Sequence, residues 1–352
     1  MDPCEVSVIV PVYNAESFLE ETLNSIQSQT FHDFEIICID DHSADRSLEI
    51  IRQHEQQDRR IRIVERTRNA GAAESINCGL DAARGTFVQI VGNDDILDRE
   101  ALSYLYNRCC KESLDFVQYG VANLIDDPSD PVLRKRAEVK ERYHRISHSY
   151  PVTSGLELLR LAVANDEYRM TNGPLFVRRS LLEANHIRNL SGVQHEDMYF
   201  TYRIFLAAHR CTIDPRVFYT YRIRSGSQED GKRRRERAAA ECYSLLRSAE
   251  QMAMETPDEI YFNPKYAQAM DETIHRYYSA AARMLLRMSP DARFEIHEPE
   301  TKIGYAASTI LPACTQDAWR IKDSYSYRLG HAILAPIYRL SKMLKLKRKT
   351  PL

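Results

Sequence analysis

Two acidic pairs in this 352-residue chain are placed where they could do chemistry. Asp40-Asp41 closes the apolar run Phe34–Ile39 (FEIICI), and Asp94-Asp95 follows the run Thr86–Val91 (TFVQIV) after Gly92 and Asn93. Singly, an aspartate at such a point is as readily a turn or cap residue as a ligand. Two acidic groups on one edge repel each other unless a cation or a donor-rich ligand lies between them. A hard divalent cation bridging carboxylate and diphosphate meets that need. His195 has no partner at ligand spacing, which marks it as a loop or acceptor-site residue.

The elements that must position these acids follow from periodicity. Val6–Val12 (VSVIVPV), Phe34–Ile39 and Thr86–Val91 are short, nearly unbroken apolar runs, the pattern of strands buried on both faces, and Ile61 and Ile63 mark a shorter one. Between them Leu19, Leu23 and Ile26, then Leu48 and Ile51, then Ala72, Ile76 and Leu80 repeat at helical spacing. Asn14 is expected to cap the first helix and Asp98 the helix carrying Leu102, Leu105 and Cys109. This alternation predicts a mostly parallel α/β sheet flanked by helices, with ligands at the carboxyl ends of the strands, where both acidic pairs fall. Leu114–Tyr119 reads as a further strand and Asp126–Arg145, charged and holding two prolines, as a surface excursion. Ser154 to Glu157 forms a capping box. Leu175–Val177 suggests a strand, and Glu196–Ala208 a helix with Phe200, Ile204 and Ala207 inward. From about Lys232 the pattern is helical, with Met270, Ile274, Tyr277, Ala281, Met284 and Met288 on one stripe.

Composition bounds the function. The chain is 28% charged and 43% hydrophobic with a formal net charge of −2, which argues against a nucleic-acid partner. Eight cysteines form no C-x-x-C pair, and neither a secretory leader nor a membrane span is read, so a cytoplasmic setting is expected. Ile321–Leu352 interleaves eight basic residues with leucines and isoleucines against Asp323 alone. Such a segment suits an anionic bilayer surface, as on the cytoplasmic face of a membrane; the alternative is a solvated tail packed on its own protein or a second subunit. A homo-oligomer is left open.

The order VSVIVPVYNAE, FEIICIDDHSADRS, NAG with N-x-G, and ARGTFVQIVGNDD resembles family 2 glycosyltransferases of GT-A fold, and HEDMYF and YRIRSGS resemble the family's acceptor-side motifs. The resemblance covers about the first two-thirds of the chain and is specific because several motifs occur in fixed order. It implies an inverting glycosyltransferase that uses a nucleotide-sugar, a UDP-sugar by family habit, with Mn2+ or Mg2+. A saccharide or lipid-linked saccharide of surface or exopolysaccharide synthesis would be the acceptor. By that resemblance Pro11, Tyr13 and Glu16 lie beside the nucleotide base, and Asp41 accepts a hydrogen bond from uracil. Asn69, Gly71 and Asn77 lie near diphosphate and ribose. Asp94 holds the metal, flanked by Asn93 and Asp95. Asp197 is the general base, preceded by Glu196, and Arg222 or Arg224 contacts the diphosphate. Gly92 stands where the family usually has the first aspartate of its DXD motif, and Ile76 where an arginine often precedes the asparagine. These leave Asp94 as the main protein ligand and remove a cation.

The expected organisation is a GT-A domain over residues 1–228, with a donor half at 1–120 and an acceptor half at 121–228. A helical region follows at 229–330, then a basic amphipathic tail at 331–352. A non-catalytic nucleotide-sugar- or saccharide-binding subunit is one alternative, against which Asp41, Asp94 and Asp197 count. A sugar-1-phosphate nucleotidyltransferase would need a glycine-rich basic loop where this chain reads PVYNAES. A nicotinamide enzyme is set aside because no G-x-G-x-x-G follows the first strand.

Overall fold

The computed structural model describes residues 4–226, 238–261 and 263–287. Ser227, Met288 and the expected tail lie outside them. The described residues form two compact units, one of residues up to 192 and from 196 to 226, the other of 193–195 and those from 238 on.

The first unit runs β1 (Val6–Val12), α1 (Leu19–Gln27), β2 (Phe34–Asp40), α2 (Ser47–Gln57), β3 (Ile61–Glu65), α3 (Ala72–Ala82), β4 (Phe87–Ile90), β5 (Ile96–Leu97) and α4 (Ala101–Glu112). It continues with β6 (Phe116–Ile125), α5 (Pro131–His144), α6 (Gly155–Ala164), β7 (Leu175–Arg178), α7 (Arg179–Ala184), α8 (Asp197–Ala207) and β8 (Cys211–Ile223). Eight strands make one sheet in the order β3-β2-β1-β4-β7-β6-β8-β5. The half from β3 to β4 is parallel, as the apolar runs predict. β7 is antiparallel to both its neighbours, β8 is parallel to β6, and β5 is antiparallel to β8.

All seven residues of β2 and six of seven in β1 are buried, which is why these strands show no alternation. Leu19, Leu23 and Ile26 of α1 are fully buried against the same core. α3 lies closer still. A Cβ at Gly79 would come within 2.4 Å of Ile9 Cγ2 and 2.8 Å of Ile39 Cδ1. The glycine of the N-x-G motif therefore serves helix–sheet packing.

Three local expectations are corrected. Asn14 does not cap α1, which starts at Leu19 with no side-chain cap; Asn14 has φ 47° and its Oδ1 accepts from Ala44 N at 2.8 Å. Asp98 precedes α4 by a turn, its Oδ1 accepting from Glu100 N at 2.9 Å. The stretch read as a surface excursion is the 14-residue helix α5, capped by Asp130 (Val132 N donates at 2.7 Å) with Pro131 in its first turn. Only Leu133 of α5 is buried, so no apolar stripe announces it. The sequence also left β5 and the 13-residue β8 without an assignment. Ser154 does cap α6, accepting from Glu157 N at 3.3 Å.

In the second unit α9 (Ala238–Glu255), the short α10 (Asp258–Tyr261) and α11 (Ala267–Arg287) follow, and α9 packs on α11. Met270, Ile274, Tyr277 and Ala281 are buried, which makes that part of the stripe helix-packing core. Among the described residues no helix is long and apolar enough to cross a membrane.

Candidate active site

The register that pairs Val12 with Asp40 and Ile9 with Ile90 brings the carboxyl ends of β1, β2 and β4 to one edge. There the loops after β1 and β2 are laced together. Asn14 N donates to Ser43 Oγ at 3.1 Å and Ala15 N to Ser47 Oγ at 2.8 Å. Glu16 N donates to Asp45 Oδ2 at 3.0 Å, while Glu16 Oε2 accepts from Arg46 N at 3.0 Å. Glu16 thus fixes loop geometry. Pro11, half-buried in β1, and Tyr13, 46% exposed, border the open side.

Asp41 is 2% exposed. Its carboxylate accepts from Ala70 N at 3.1 Å and Gly71 N at 2.7 Å, and Arg66 Nε lies 3.2 Å away. It therefore pins the loop carrying the exposed Asn69 to the end of β2. A carboxylate offers about four lone-pair sites, so these three donors leave room for one more. Asp40 Oδ1 beside it is buried with no hydrogen-bond partner. Asn77 points elsewhere. Its Nδ2 donates to Asn189 O at 2.9 Å and its Oδ1 accepts from Asn189 N at 2.8 Å, which ties α3 to the segment before α8.

After β4 the chain turns through Gly92 and Asn93, both half-buried. Asp95 is buried, accepting from Tyr219 Oη at 2.6 Å and from Arg222 N at 2.9 Å, while its own carbonyl accepts from Thr22 Oγ1 at 2.9 Å. Burial first, and then the neighbouring Asp94 carboxylate, push Asp95 up to about 7, against the pull of those two hydrogen bonds. A Cβ at Gly92 would sit 2.5 Å from Asp95 Oδ2. The missing first aspartate and the inward Asp95 are therefore one feature, since the buried carboxylate occupies the space a side chain would need.

Asp94 is more open. Arg224 Nε donates to its Oδ2 at 2.7 Å, and both side chains are 20% exposed. Arg222 Nε donates to Asp94 O at 2.8 Å, and its guanidinium also pairs with Glu21 and reaches Asp126 Oδ1 at 3.6 Å. Both guanidinium carbons lie 5.0 Å from the Phe18 ring. Among the described residues no three His, Cys, Asp or Glu side chains gather to hold a metal. The donor set fits a hard divalent ion that takes one protein carboxylate, Asp94, and most of its oxygens from a diphosphate. The guanidinium already on Asp94 shows that the position takes a cation.

Asp197 opens α8, and Glu196 is its N-cap residue. Asn172 Nδ2 approaches Glu196 Oε1 at 3.5 Å, and Asn172 Oδ1 is buried with no hydrogen-bond partner. Thr171 is bound to α8 by mutual 3.1 Å hydrogen bonds with Thr201. The adjoining Gly173 packs so closely on the Tyr219 ring that a Cβ would meet it at 2.7 Å. Tyr219 Oη in turn accepts from Gly92 N at 3.0 Å and donates to Asp95. One tyrosine thus links the segment 171–173, which is bonded to α8, to the acidic edge. The sequence reading missed Tyr219, Phe18, Glu21 and Thr22; the aromatic register of YTYRIR was the available signal for the first. His195 counts with the second unit, where its Nε2 lies 3.7 Å from Glu241 Oε1.

Residues 7–164 match the profile of Glycosyl transferase family 2. The chain is 28% identical over 234 residues to the Glycosyltransferase GlyG of Streptococcus pneumoniae serotype 4, covering 63% of this chain and 72% of that protein. Matches to three further curated glycosyltransferases span 31–33% of those proteins' length. Among solved structures, S. aureus TarS 1–349 in complex with UDP-GlcNAc superposes with a TM-score of 0.53 at 19% identity, covering 80% of this chain and 83% of that one. The mannosyltransferase PcManGT from Pyrobaculum calidifontis, in complex with GDP-Man and Mn2+, gives 0.53 at 18% identity over 99% and 89%. Over residues 7–164 the chain thus matches Glycosyl transferase family 2, and its fold is the GT-A fold of these solved structures.

Proposed function

We propose that this chain is an inverting glycosyltransferase that moves a sugar from a UDP-sugar to a saccharide or lipid-linked saccharide acceptor of surface-polysaccharide synthesis. One observation carries the reading. The loop pinned by Asp41, the Asp94 carboxylate, and Arg222 and Arg224 at the end of β8 lie at one sheet edge, and Tyr219 joins that edge to the segment 171–173, which is hydrogen-bonded to the helix that Asp197 opens. The base lies between Tyr13 and the loop of Asn69 and Gly71, with the remaining Asp41 lone pair facing its ring N–H. Asp197, with Glu196 beside it, takes the proton of the acceptor hydroxyl as that oxygen attacks the anomeric carbon. Attack from the face opposite the leaving diphosphate inverts the configuration. Arg222 and Arg224 stand where planar donors can meet phosphate oxygens. A Mn2+ or Mg2+ ion, when bound at Asp94, supplies further positive charge to the diphosphate.

TarS crystallised with UDP-GlcNAc and PcManGT with GDP-Man, so the nucleotide is the first thing to test. Thermal shift against UDP-, GDP- and dTDP-sugars should single out the UDP-sugars, since a ligand at a hundredfold its Kd stabilises by about 2.7 kcal/mol. UDP release in the presence of acceptor should then fall about 10²–10⁴-fold in Asp197→Asn, with UDP affinity kept. Turnover unchanged in that variant would remove Asp197 from the mechanism.

A further inference from the structure

Asp94 has a cation on it, and that cation is part of the protein. The antiparallel register of β5 and β8, with Ile96 opposite Thr220, continues so as to set Arg222 against Asp94. Arg222 is 7% exposed and its Nε holds the Asp94 carbonyl, so the main chain here is fixed. The Arg224 side chain is the more open of the two and takes the carboxylate itself through Nε, 2.7 Å from Oδ2. Its place is prepared from both sides, by the Phe18 ring at 5.0 Å and by Arg136, whose guanidinium donates to the Arg224 carbonyl at 2.9 Å. Among the described residues, the motif's neighbours of Asp94 offer no second outward carboxylate. Gly92 has none, and Asp95 faces Tyr219 and the Arg222 N–H.

We propose that Arg224 is a latch on Asp94, a positioning residue that competes with the divalent ion for this carboxylate, so that the ion is seated only as the guanidinium leaves. The inference rests on Asp94 as the ion's carboxylate. A diphosphate arriving at the edge supplies the exchange partner, because guanidinium binds phosphate oxygens in the same planar, two-pronged way as a carboxylate. Diphosphate and ion then load as a pair, and the ion alone is disfavoured. The ion pair is partly exposed on both sides, so water can reach it and it can open.

The test uses the full chain with Mn2+ alone as the probe, read by its enhancement of water-proton relaxation. Arg224→Gln should reach half-saturation at several-fold lower Mn2+ than the unaltered chain, and Arg224→Lys should fall between. The double variant Asp94→Asn with Arg224→Gln should lose the gain. Equal Mn2+ dependence in the unaltered chain and Arg224→Gln, with circular dichroism showing both folded, overturns the latch, as does a gain that survives in the double variant. UDP titrations with and without Mn2+ separate the two levels. If Mn2+ strengthens UDP binding and Asp94→Asn abolishes that effect, the site reading stands and only the latch is judged by Arg224. If Asp94→Asn changes nothing, both fall together.

Discussion

Adjacent in sequence, Asp94 and Asp95 have opposite surroundings. Asp94 faces out, toward a guanidinium and solvent; Asp95 faces in, toward a tyrosine hydroxyl and a backbone N–H. The inward carboxyl has a consequence for stability. Burial, then Asp94, raise Asp95 to about 7 in the folded chain, whereas in the unfolded chain it titrates near an ordinary aspartate, about 3.9. The folded form therefore binds a proton that the unfolded form has released over that interval. Stability from this group is fully present below the ordinary range and is lost as pH rises towards about 7. Asp95→Asn should flatten that slope, so the difference in melting temperature between about pH 5 and about pH 8 shrinks relative to the unaltered chain. An undiminished difference would show that another group carries it. Gly92 follows from the same fact, because any side chain there would meet the inward carboxylate.

At the scale of elements, α3 shows how a motif divides its labour. Asn77 and Gly79 both belong to the N-x-G pattern, yet one binds the backbone of Asn189 and the other lets the helix touch β1 and β2. Gly79→Ala puts a methyl 2.4 Å from Ile9 Cγ2, and overpacking of this kind costs about 1–3 kcal/mol. Urea unfolding should report that loss; a midpoint unchanged from the parent would mean the helix can ride outwards freely. The sequence announced this half of the fold because buried parallel strands are apolar runs and their helices carry clear stripes. It was silent about α5, whose only buried residue is Leu133, and about β8, where Asp214 to Arg216 interrupt the apolar pattern. The same physics governs the site. Acids at strand ends are visible in a sequence, whereas Tyr219 matters only because β8 returns beside β5. Gly92, read as a gap in the metal site, proves to be the packing partner of Asp95.

For the whole molecule, the division into two units sets where a nucleotide should be felt. Every residue assigned to the donor or to catalysis, from Pro11 to Arg224, lies in the first unit, whereas α9 and α11 pack on each other in the second. Binding raises the free energy of any opening that must release the ligand, and leaves independent openings alone. Hydrogen exchange with saturating UDP and Mn2+ should thus slow at the backbone amides of Asn14–Glu16, of Ala70 and Gly71, of Gly92–Asp95 and of Arg222. Those of α9 and α11 should exchange as before. The amides of Ala70 and Gly71 are the sharpest reporters, because they already donate to Asp41 and their exchange measures how firmly the loop is pinned. Protection spread evenly over α9 and α11 would place the second unit in the nucleotide's binding equilibrium and remove the donor site from the sheet edge alone.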